Sequence, residues 1–259
     1  MIRYETPAPV RKLVPENWLN RAKERTEKLI AKKKYAESSA IWSDVKPVFM
    51  ELQHNKCLFC ERQFEGPDYG RIEHDLEHYR PKNHYYWLAY DVENYGAACK
   101  VCNSTLKSNH FPIENQRGKA AQKIRAMNKS ERPLLCYPLG RLDTDPADLV
   151  TFEGTIAVPV GKWGYKRARG EEIIRFFRLN DRDTLHMERA QMITLMGYAL
   201  RELGAGIDVA SNQEVVDSLT SPVARHTACS RAFLRSWHDD EAAATAVFVE
   251  CRNLVSGQP

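Results

Sequence analysis

The chain has 259 residues, of which 43% are hydrophobic and 28% charged, and a formal net charge of +4. It is long enough to bury a core without metals or disulfides, and its mild positive charge is only weak support for a nucleic-acid partner. No apolar run approaches bilayer length and the first residues lack the apolar core of a signal peptide, so we predict no transmembrane helix and a cytoplasmic location. The seven cysteines are therefore expected to be reduced thiols rather than a disulfide framework.

Two helices are predicted in the first part of the chain. The first begins at Pro15-Glu16, and the residues of its inner face recur with a helical period. These residues are Leu19, Ala22, Thr26, Leu29 and Ile30. The second helix extends over residues 41–52 with Ser39 as a plausible N-cap, and Pro47 near its start is expected to kink it or to delay its first full turn.

The composition changes between Cys57 and about Pro112. Cysteine, histidine, asparagine and tyrosine cluster there and long apolar periodicity disappears, so this segment is expected to carry the chemistry. Beyond it, residues 149–158 predict a β-hairpin around the turn Glu153-Gly154.

The remaining part of the chain is predicted to be helical. A short helix is expected over 170–179 and a long one over 181–203, with Gly204 as its stop, followed by two more helices to about Leu254. The chain is therefore expected to be mainly helical with a small strand-containing centre.

Two C-x2-C pairs stand out in the middle segment: Cys57 with Cys60, and Cys99 with Cys102. Together they supply the tetrahedral four-thiolate shell that zinc favours, and such a closed shell leaves no open position for catalysis. We therefore predict a structural zinc. The alternatives, unrelated buried thiols or a redox C-x2-C, are disfavoured by the paired spacing and by the lack of a βαβ context. Residues 61–98 separate the pairs, a longer spacing than in a simple zinc ribbon, so a substantial insert lies between them.

The insert and the second pair contain an ordered set of residues. It reads Glu77-His78-x-x-Pro81, then Asn94, then Cys99-x-x-Cys102-Asn103-x-x-x-Lys107. With this order over about residues 57–112, the sequence resembles the HNH endonuclease family. The resemblance implies a fold that is mainly α, with a small central ββα-metal (HNH, treble-clef-like) module and a short β-hairpin. The expected division is an N-terminal helical segment at 1–56, the nuclease module with its zinc at 57–115, and a mostly helical region for packing and partner docking at 116–259.

Phosphodiester hydrolysis needs an activated water and stabilisation of the charge on the phosphate. An imidazole can accept the proton from water, and a hard cation such as Mg²⁺ or Mn²⁺ can stabilise the charge. The resemblance implies that His78 is the catalytic base and that Glu77 and Asn103 hold the divalent ion. Asn94 would hold His78 in place through its side-chain amide or the neighbouring backbone. Because adjacent side chains on a strand point oppositely, Glu77 and His78 share one cleft only where a bulge or a strand end breaks the alternation.

Several neighbouring residues have two interpretations. Arg80 and Lys107 are candidate nucleic-acid contacts, and an ordinary solvated side chain is the alternative for each. Glu73-His74 is a rival pair that lacks a proline at the same spacing, and His110 is a rival metal ligand. The nearby aromatic residues are expected in the core rather than stacked on bases: Tyr85, Tyr86, Trp87 and Tyr90.

Weaker motifs downstream, from Arg132-Pro-Leu-Leu to Arg178-Leu-Asn180, are similar to a subgroup of bacterial HNH proteins, the nucleases of Septu and retron antiphage systems. That resemblance implies a defence role and an ATPase partner. The chain has no Walker A pattern, so ATP-driven control would come from another chain. The expected function is metal-dependent hydrolysis of nucleic acid, with DNA favoured over RNA. The alternative is a zinc-dependent nucleic-acid- or protein-binding module without catalytic activity.

Overall fold

The computed structural model describes residues 1–37, 39–65, 73–120 and 122–257. The chain forms two compact units: one comprises Arg3–Phe59 and Gln63–Asp145, and the other comprises Met1–Ile2, Cys60–Arg62 and Pro146–Pro259. The predicted fold class, mainly α with small β elements, is confirmed. The functional division at 1–56, 57–115 and 116–259 stays a prediction, because packing alone does not test it. Within the described ranges, none of the helices combines the length and the apolar character needed to cross a membrane.

Helix α1 spans Glu16–Lys32 in the first of these units and begins directly after Pro15, as predicted. The carbonyl of Pro15 accepts the first hydrogen bonds of the helix. Its buried residues are Trp18, Ala22 and Leu29, whereas Ile30 is 41% exposed. The predicted face is therefore turned slightly, because the large indole of Trp18 takes the place at the core.

A 3-10 helix at Trp42–Val45 precedes helix α2 at Lys46–Leu52. Pro47 lies in the first turn of α2, where its missing N–H leaves no hydrogen bond unmade. Of the two effects expected from Pro47, the delay of the first α-helical turn is the one observed. The prediction of Ser39 as N-cap was wrong, because Ile41 precedes the 3-10 helix and Val45 precedes α2. Beyond α2, the Gln53 amide pairs with the backbone of Ala97, donating to its carbonyl (2.8 Å) and accepting from its N–H (2.7 Å).

The other elements of this unit include β1 (His74–His78), β2 (Tyr95–Cys99), a π-helix (Val101–Lys107), α3 (Ile124–Glu131) and 3-10 helices at Val10–Lys12, Tyr86–Leu88 and Val92–Asn94. The two strands are antiparallel, with His78 opposite Tyr95. Strand β2 is buried along its whole length. Gly96 allows a close approach there, since a Cβ at this position would lie 2.6 Å from Leu58 Cδ2. Packing against β2 thus holds the first cysteine segment beside the strand.

The second unit contains a hairpin and five helices among its described residues: β3 (Val150–Glu153), β4 (Ile156–Pro159), α4 (Gly164–Phe176), α5 (Asp183–Gly204), α6 (Val209–Thr220), α7 (Thr227–Asp239) and α8 (Glu241–Ser256). The predicted hairpin and the predicted stop at Gly204 are confirmed. Two predictions were wrong. Helix α4 begins at Gly164 rather than at residue 170, and three helices follow Gly204 instead of two. The additional break falls at Asp240, whose carboxylate caps α8 by accepting from Ala243 N, and neither glycine nor proline marks it.

The core of the second unit lies among α5 to α8. Half of its members are aliphatic, and the rings of Phe233, Trp237 and Phe248 are among the others. Gly197 of α5 faces α8 at close range, because a Cβ there would lie 2.1 Å from the ring of Phe248. This close approach requires glycine and fixes how the two helices pack.

Candidate functional site

The four cysteines of the two C-x2-C pairs form one buried cluster. The Sγ atoms of Cys57, Cys60, Cys99 and Cys102 lie within 4.8 Å of one another. Tetrahedral zinc with bonds of about 2.3 Å places its sulfur ligands about 4 Å apart, so the cluster has the donor set and the spacing to bind such a metal. The amide of Cys99 donates to Cys57 Sγ and that of Cys102 to Cys99 Sγ, each at 3.4 Å. The three remaining cysteines are buried, as predicted: Cys136, Cys229 and Cys251.

A cleft of about 470 Å³ lies beside β1 and the π-helix. Glu77, His78 and Asn103 line it together. His78 is the last residue of β1, and at this strand end both adjacent residues line the cleft. Of the rivals, His74 is buried with its ring 4.6 Å from that of Phe64, and His110 is exposed. Neither is among the residues that line the cleft in the described part of the chain.

The imidazole of His78 is held in a defined orientation. Its Nε2 lies 3.0 Å from the carbonyl oxygen of Ala89. Since a carbonyl only accepts, Nε2 carries the proton and Nδ1 keeps its lone pair in the neutral ring. The rings of Trp42 and Tyr95 meet the imidazole edge-on, at centroid distances of 4.8 and 5.0 Å. Burial, aided by the charge of Lys82, lowers the pKa of His78 to about 3, so the ring is neutral at physiological pH.

Asn94 is fully buried and acts on the backbone near His78 rather than on its ring. Its Oδ1 accepts from the N–H of Arg80 at 2.7 Å. Its Nδ2 donates to the carbonyl of Arg80 at 3.0 Å and to that of Leu88 at 3.2 Å. The side chain therefore joins the segment that follows His78 to the segment that contains Ala89.

Glu77 has a buried cation as its partner. The Lys107 ammonium lies 2.5 Å from Glu77 Oε1 and donates to the carbonyl of His78 at 2.9 Å. Burial raises the pKa of the Glu77 carboxyl and lowers that of the Lys107 ammonium, and each charge opposes the shift of the other. Lys107 is fully buried, which does not support the predicted contact with nucleic acid. The carboxylate of Glu77 and the amide oxygen of Asn103 are the hard donors that a divalent ion such as Mg²⁺ accepts.

The helix that carries Asn103 is a π-helix rather than an α-helix. The amide of Ser108 donates to the carbonyl of Asn103 at 2.6 Å, five residues earlier in the chain. Such wide turns are rare and occur often at functional sites. Here the wider turn accompanies a side chain at position 103 that lines the cleft and one at Lys107 that is buried.

Arg80 is fully buried, and its guanidinium is paired inside the unit. Nε and Nη2 donate to Glu131 Oε2 at 3.0 and 2.9 Å, and Nη2 also donates to Asn128 Oδ1 at 2.8 Å. The rings of Tyr85 and Phe111 lie 5.7 and 5.1 Å from the guanidinium carbon. This burial does not support the predicted contact with nucleic acid. The side chain instead connects the segment after β1 to helix α3.

Glu131→Ala is expected to lower the free energy of unfolding by about 3–5 kcal/mol, because it leaves the buried Arg80 charge unpaired. Urea unfolding of the purified protein measures this loss. Glu114→Ala is the matched control, since Glu114 pairs with Arg132 on the partly exposed surface, where an ion pair contributes about 1 kcal/mol or less. An equal loss of unfolding free energy in both variants would show that the buried Arg80–Glu131 pair contributes no more than a surface pair.

Lys82 and Trp42 are among the residues of the cleft that sequence reasoning did not single out. Lys82 directly follows Pro81, and this adjacency was the only available signal. Trp42 lies in a 3-10 helix far from the motif in the chain, so nothing local linked it to the site. Of the four aromatic residues predicted to lie in the core, Tyr85, Trp87 and Tyr90 are buried, as predicted. Tyr86 is half-buried.

Comparison with curated proteins shows a similarity over part of the chain. The chain is similar to the Septu protein PtuB of Bacillus mycoides strain KBAB4, with 32% identity over 161 residues. The matched region is 57% of this chain and 50% of that protein, so the chain spans about half the length of the curated relative it matches. A scan against protein-family models gave no match. A search of solved structures gave none either.

Proposed function

We propose that this protein is a metal-dependent endonuclease of the HNH type, which hydrolyses phosphodiester bonds in nucleic acid with DNA favoured over RNA. The observation that carries the proposal is the cleft lined jointly by Glu77, His78 and Asn103. It combines a neutral imidazole with two oxygen donors of the kind that hard cations prefer. The ordered resemblance of these residues to the HNH pattern supports the same assignment.

In the proposed reaction, His78 takes a proton from the attacking water at Nδ1. The carbonyl of Ala89 keeps Nε2 protonated and fixes the direction of the lone pair. Asn94 is a positioning residue, because it connects the backbone on both sides of this arrangement. Glu77 and Asn103 would hold Mg²⁺ or Mn²⁺, which would stabilise the charge that develops on the phosphate.

The four cysteines would hold a structural zinc. Cys99 ends β2 and Cys102 lies in the π-helix, so a shared metal would join the strand to the helix that carries Asn103. Cys57 would add the segment that packs beside β2, since Leu58 N donates to the carbonyl of Ala97 at 2.9 Å. In this interpretation the zinc shapes the cleft without touching the reacting groups.

We also propose a role in bacterial antiphage defence, with an ATPase partner supplied by another chain. The similarity to the Septu protein PtuB supports this role. The proposal is tested by co-expressing the chain with a neighbouring ATPase gene product and measuring protection against phage. Loss of protection in a His78→Ala strain is expected. Equal protection in that strain would contradict a nuclease role in defence.

The nuclease proposal is tested with purified protein, supercoiled plasmid and an end-labelled RNA. Mg²⁺ or Mn²⁺ is expected to support nicking of the plasmid, at a higher rate than cutting of the RNA, and EDTA is expected to stop it. The assay is run with and without a candidate ATPase. Binding of nucleic acid without any cleavage under these conditions would favour the alternative, a zinc-dependent binding module.

A further inference from the structure

Lys82 stands in the cleft beside the proposed base. It follows β1 by four residues and lines the same cleft as Glu77, His78 and Asn103. Its side chain is half-buried, so its ammonium has given up part of its water shell. A cation in this position needs a partner to compensate for that loss.

The neighbours of the Lys82 ammonium are aromatic rings. Nζ lies 4.9 Å from the centre of the Trp42 ring and 5.5 Å from that of Tyr35. Ring faces attract a cation, but they do not use its three N–H donors as oxygen atoms would. Among the described residues, no carboxylate lies within ion-pair distance of this ammonium, so its donors remain available for an anion.

Three other lysines near the cleft differ in this respect, the first being Lys100, which forms an ion pair with Asp75. The Lys107 ammonium is paired with Glu77 and hydrogen-bonded to the carbonyl of His78. The Lys46 ammonium donates to the carbonyl of His74 at 2.9 Å. Among the described residues, the ammonium of Lys82 therefore differs from these in that it lies against ring faces alone.

Trp42 relates Lys82 to the base. The same indole that lies under the ammonium meets the imidazole of His78 edge-on, with ring centres 4.8 Å apart. Trp42 therefore contacts both the Lys82 ammonium and the His78 imidazole and holds them near each other.

We propose that Lys82 is a phosphate ligand, whose ammonium donates to a non-bridging oxygen of the phosphodiester that lies in the cleft beside His78. This assignment rests on the proposed nuclease function for the identity of its anion. It is supported by a partly desolvated ammonium that lies against the rings of Trp42 and Tyr35 and whose N–H donors are available to an anion. Phosphate oxygens are the acceptors that such a point charge binds in nucleic acids.

Two variants of Lys82 test the assignment. Lys82→Gln removes the charge and leaves a polar side chain that is one atom shorter, whereas Lys82→Arg keeps the charge. Binding of a fluorescein-labelled DNA duplex is measured by anisotropy in Ca²⁺ over a series of salt concentrations. Lys82→Gln is expected to weaken binding and to reduce the slope of log affinity against log salt by about one, because one phosphate contact is lost. Lys82→Arg is expected to retain the wild-type slope.

Cleavage supplies the second measurement. Lys82→Gln is expected to lower the rate of plasmid nicking at saturating DNA by about 10²-fold, since the positive charge that faces the phosphate is removed. Lys129→Ala is the matched control, an exposed lysine of α3 outside the cleft, and it is expected to keep the wild-type rate and slope. Thermal unfolding of all variants separates a lost contact from a lost fold.

The outcomes separate this assignment from the nuclease proposal. A folded Lys82→Gln protein with wild-type slope and rate would overturn the assignment while leaving the nuclease intact. If the wild type never cuts but Lys82→Gln lowers the salt slope by about one, Lys82 is a phosphate ligand and the nuclease proposal is overturned. A wild-type protein that neither binds nor cuts nucleic acid would overturn both.

Discussion

Replacing His78 with alanine is expected to lower the rate of metal-dependent cleavage by about 10²–10⁴-fold, the contribution that a positioned general base usually makes. The neutral ring presents Nδ1 because the carbonyl of Ala89 occupies Nε2. No other imidazole lines the cleft in the described part of the chain, so no second histidine can take over its role. Single-turnover nicking of supercoiled plasmid in Mn²⁺ measures the loss.

Two controls accompany this prediction. His110→Ala removes the exposed histidine that is the rival metal ligand, and it is expected to cut at the wild-type rate. The zinc content of His78→Ala is expected to equal that of the wild type, since its ring is no part of the cysteine cluster. His78→Ala that nicks as fast as the parent would remove His78 from the mechanism, and a large loss in His110→Ala would move the metal site to that residue.

Replacing Cys99 with serine is expected to abolish tight zinc binding and to destabilise the segments that the four cysteines join. Structural zinc contributes about 10–16 kcal/mol of apparent binding energy to small zinc-dependent folds, and a neutral hydroxyl is a poor substitute for a thiolate. The loss is amplified at Cys99, because its sulfur also accepts a hydrogen bond from Cys102 N at 3.4 Å. Metal analysis is expected to give about one zinc per wild-type chain and far less per variant chain.

Cys136→Ser is the matched control for this experiment. Cys136 is also buried, but its thiol donates to the carbonyl of Thr144 and lies outside the cluster. Its serine variant is expected to keep a full complement of zinc. A folded Cys99→Ser protein that retains its zinc would contradict the structural metal site, as would a loss of zinc in Cys136→Ser.

Residues close together in the chain were the ones that sequence reasoning placed well. Helix α1 begins where Pro15 predicts it, and the hairpin turns at Gly154, where φ is 55°. Both signals are local, because they depend on what one or two residues allow the backbone to do. The break at Asp240 was missed since a capping aspartate is a weaker signal than glycine or proline.

Charged residues of the motif were placed less well. Arg80 and Lys107 have the composition of surface contacts, yet each is fully buried with a carboxylate partner. Glu131 lies 51 residues from Arg80 in the chain, so no local pattern could reveal that pair. Lys82 was not predicted as a site residue, yet it lines the cleft and its ammonium lies against the ring of Trp42.

The sequence by itself determined the four thiols and the order of Glu77, His78, Asn94 and Asn103, because ligand chemistry and spacing can be read along the chain. The tertiary structure alone decided which charges are available. Burial makes an unpaired charge costly, and whether a lysine or arginine finds a buried carboxylate depends on segments that meet only after folding. That is why Arg80 and Lys107 became internal ion pairs, while Lys82 and Trp42 joined the cleft beside His78.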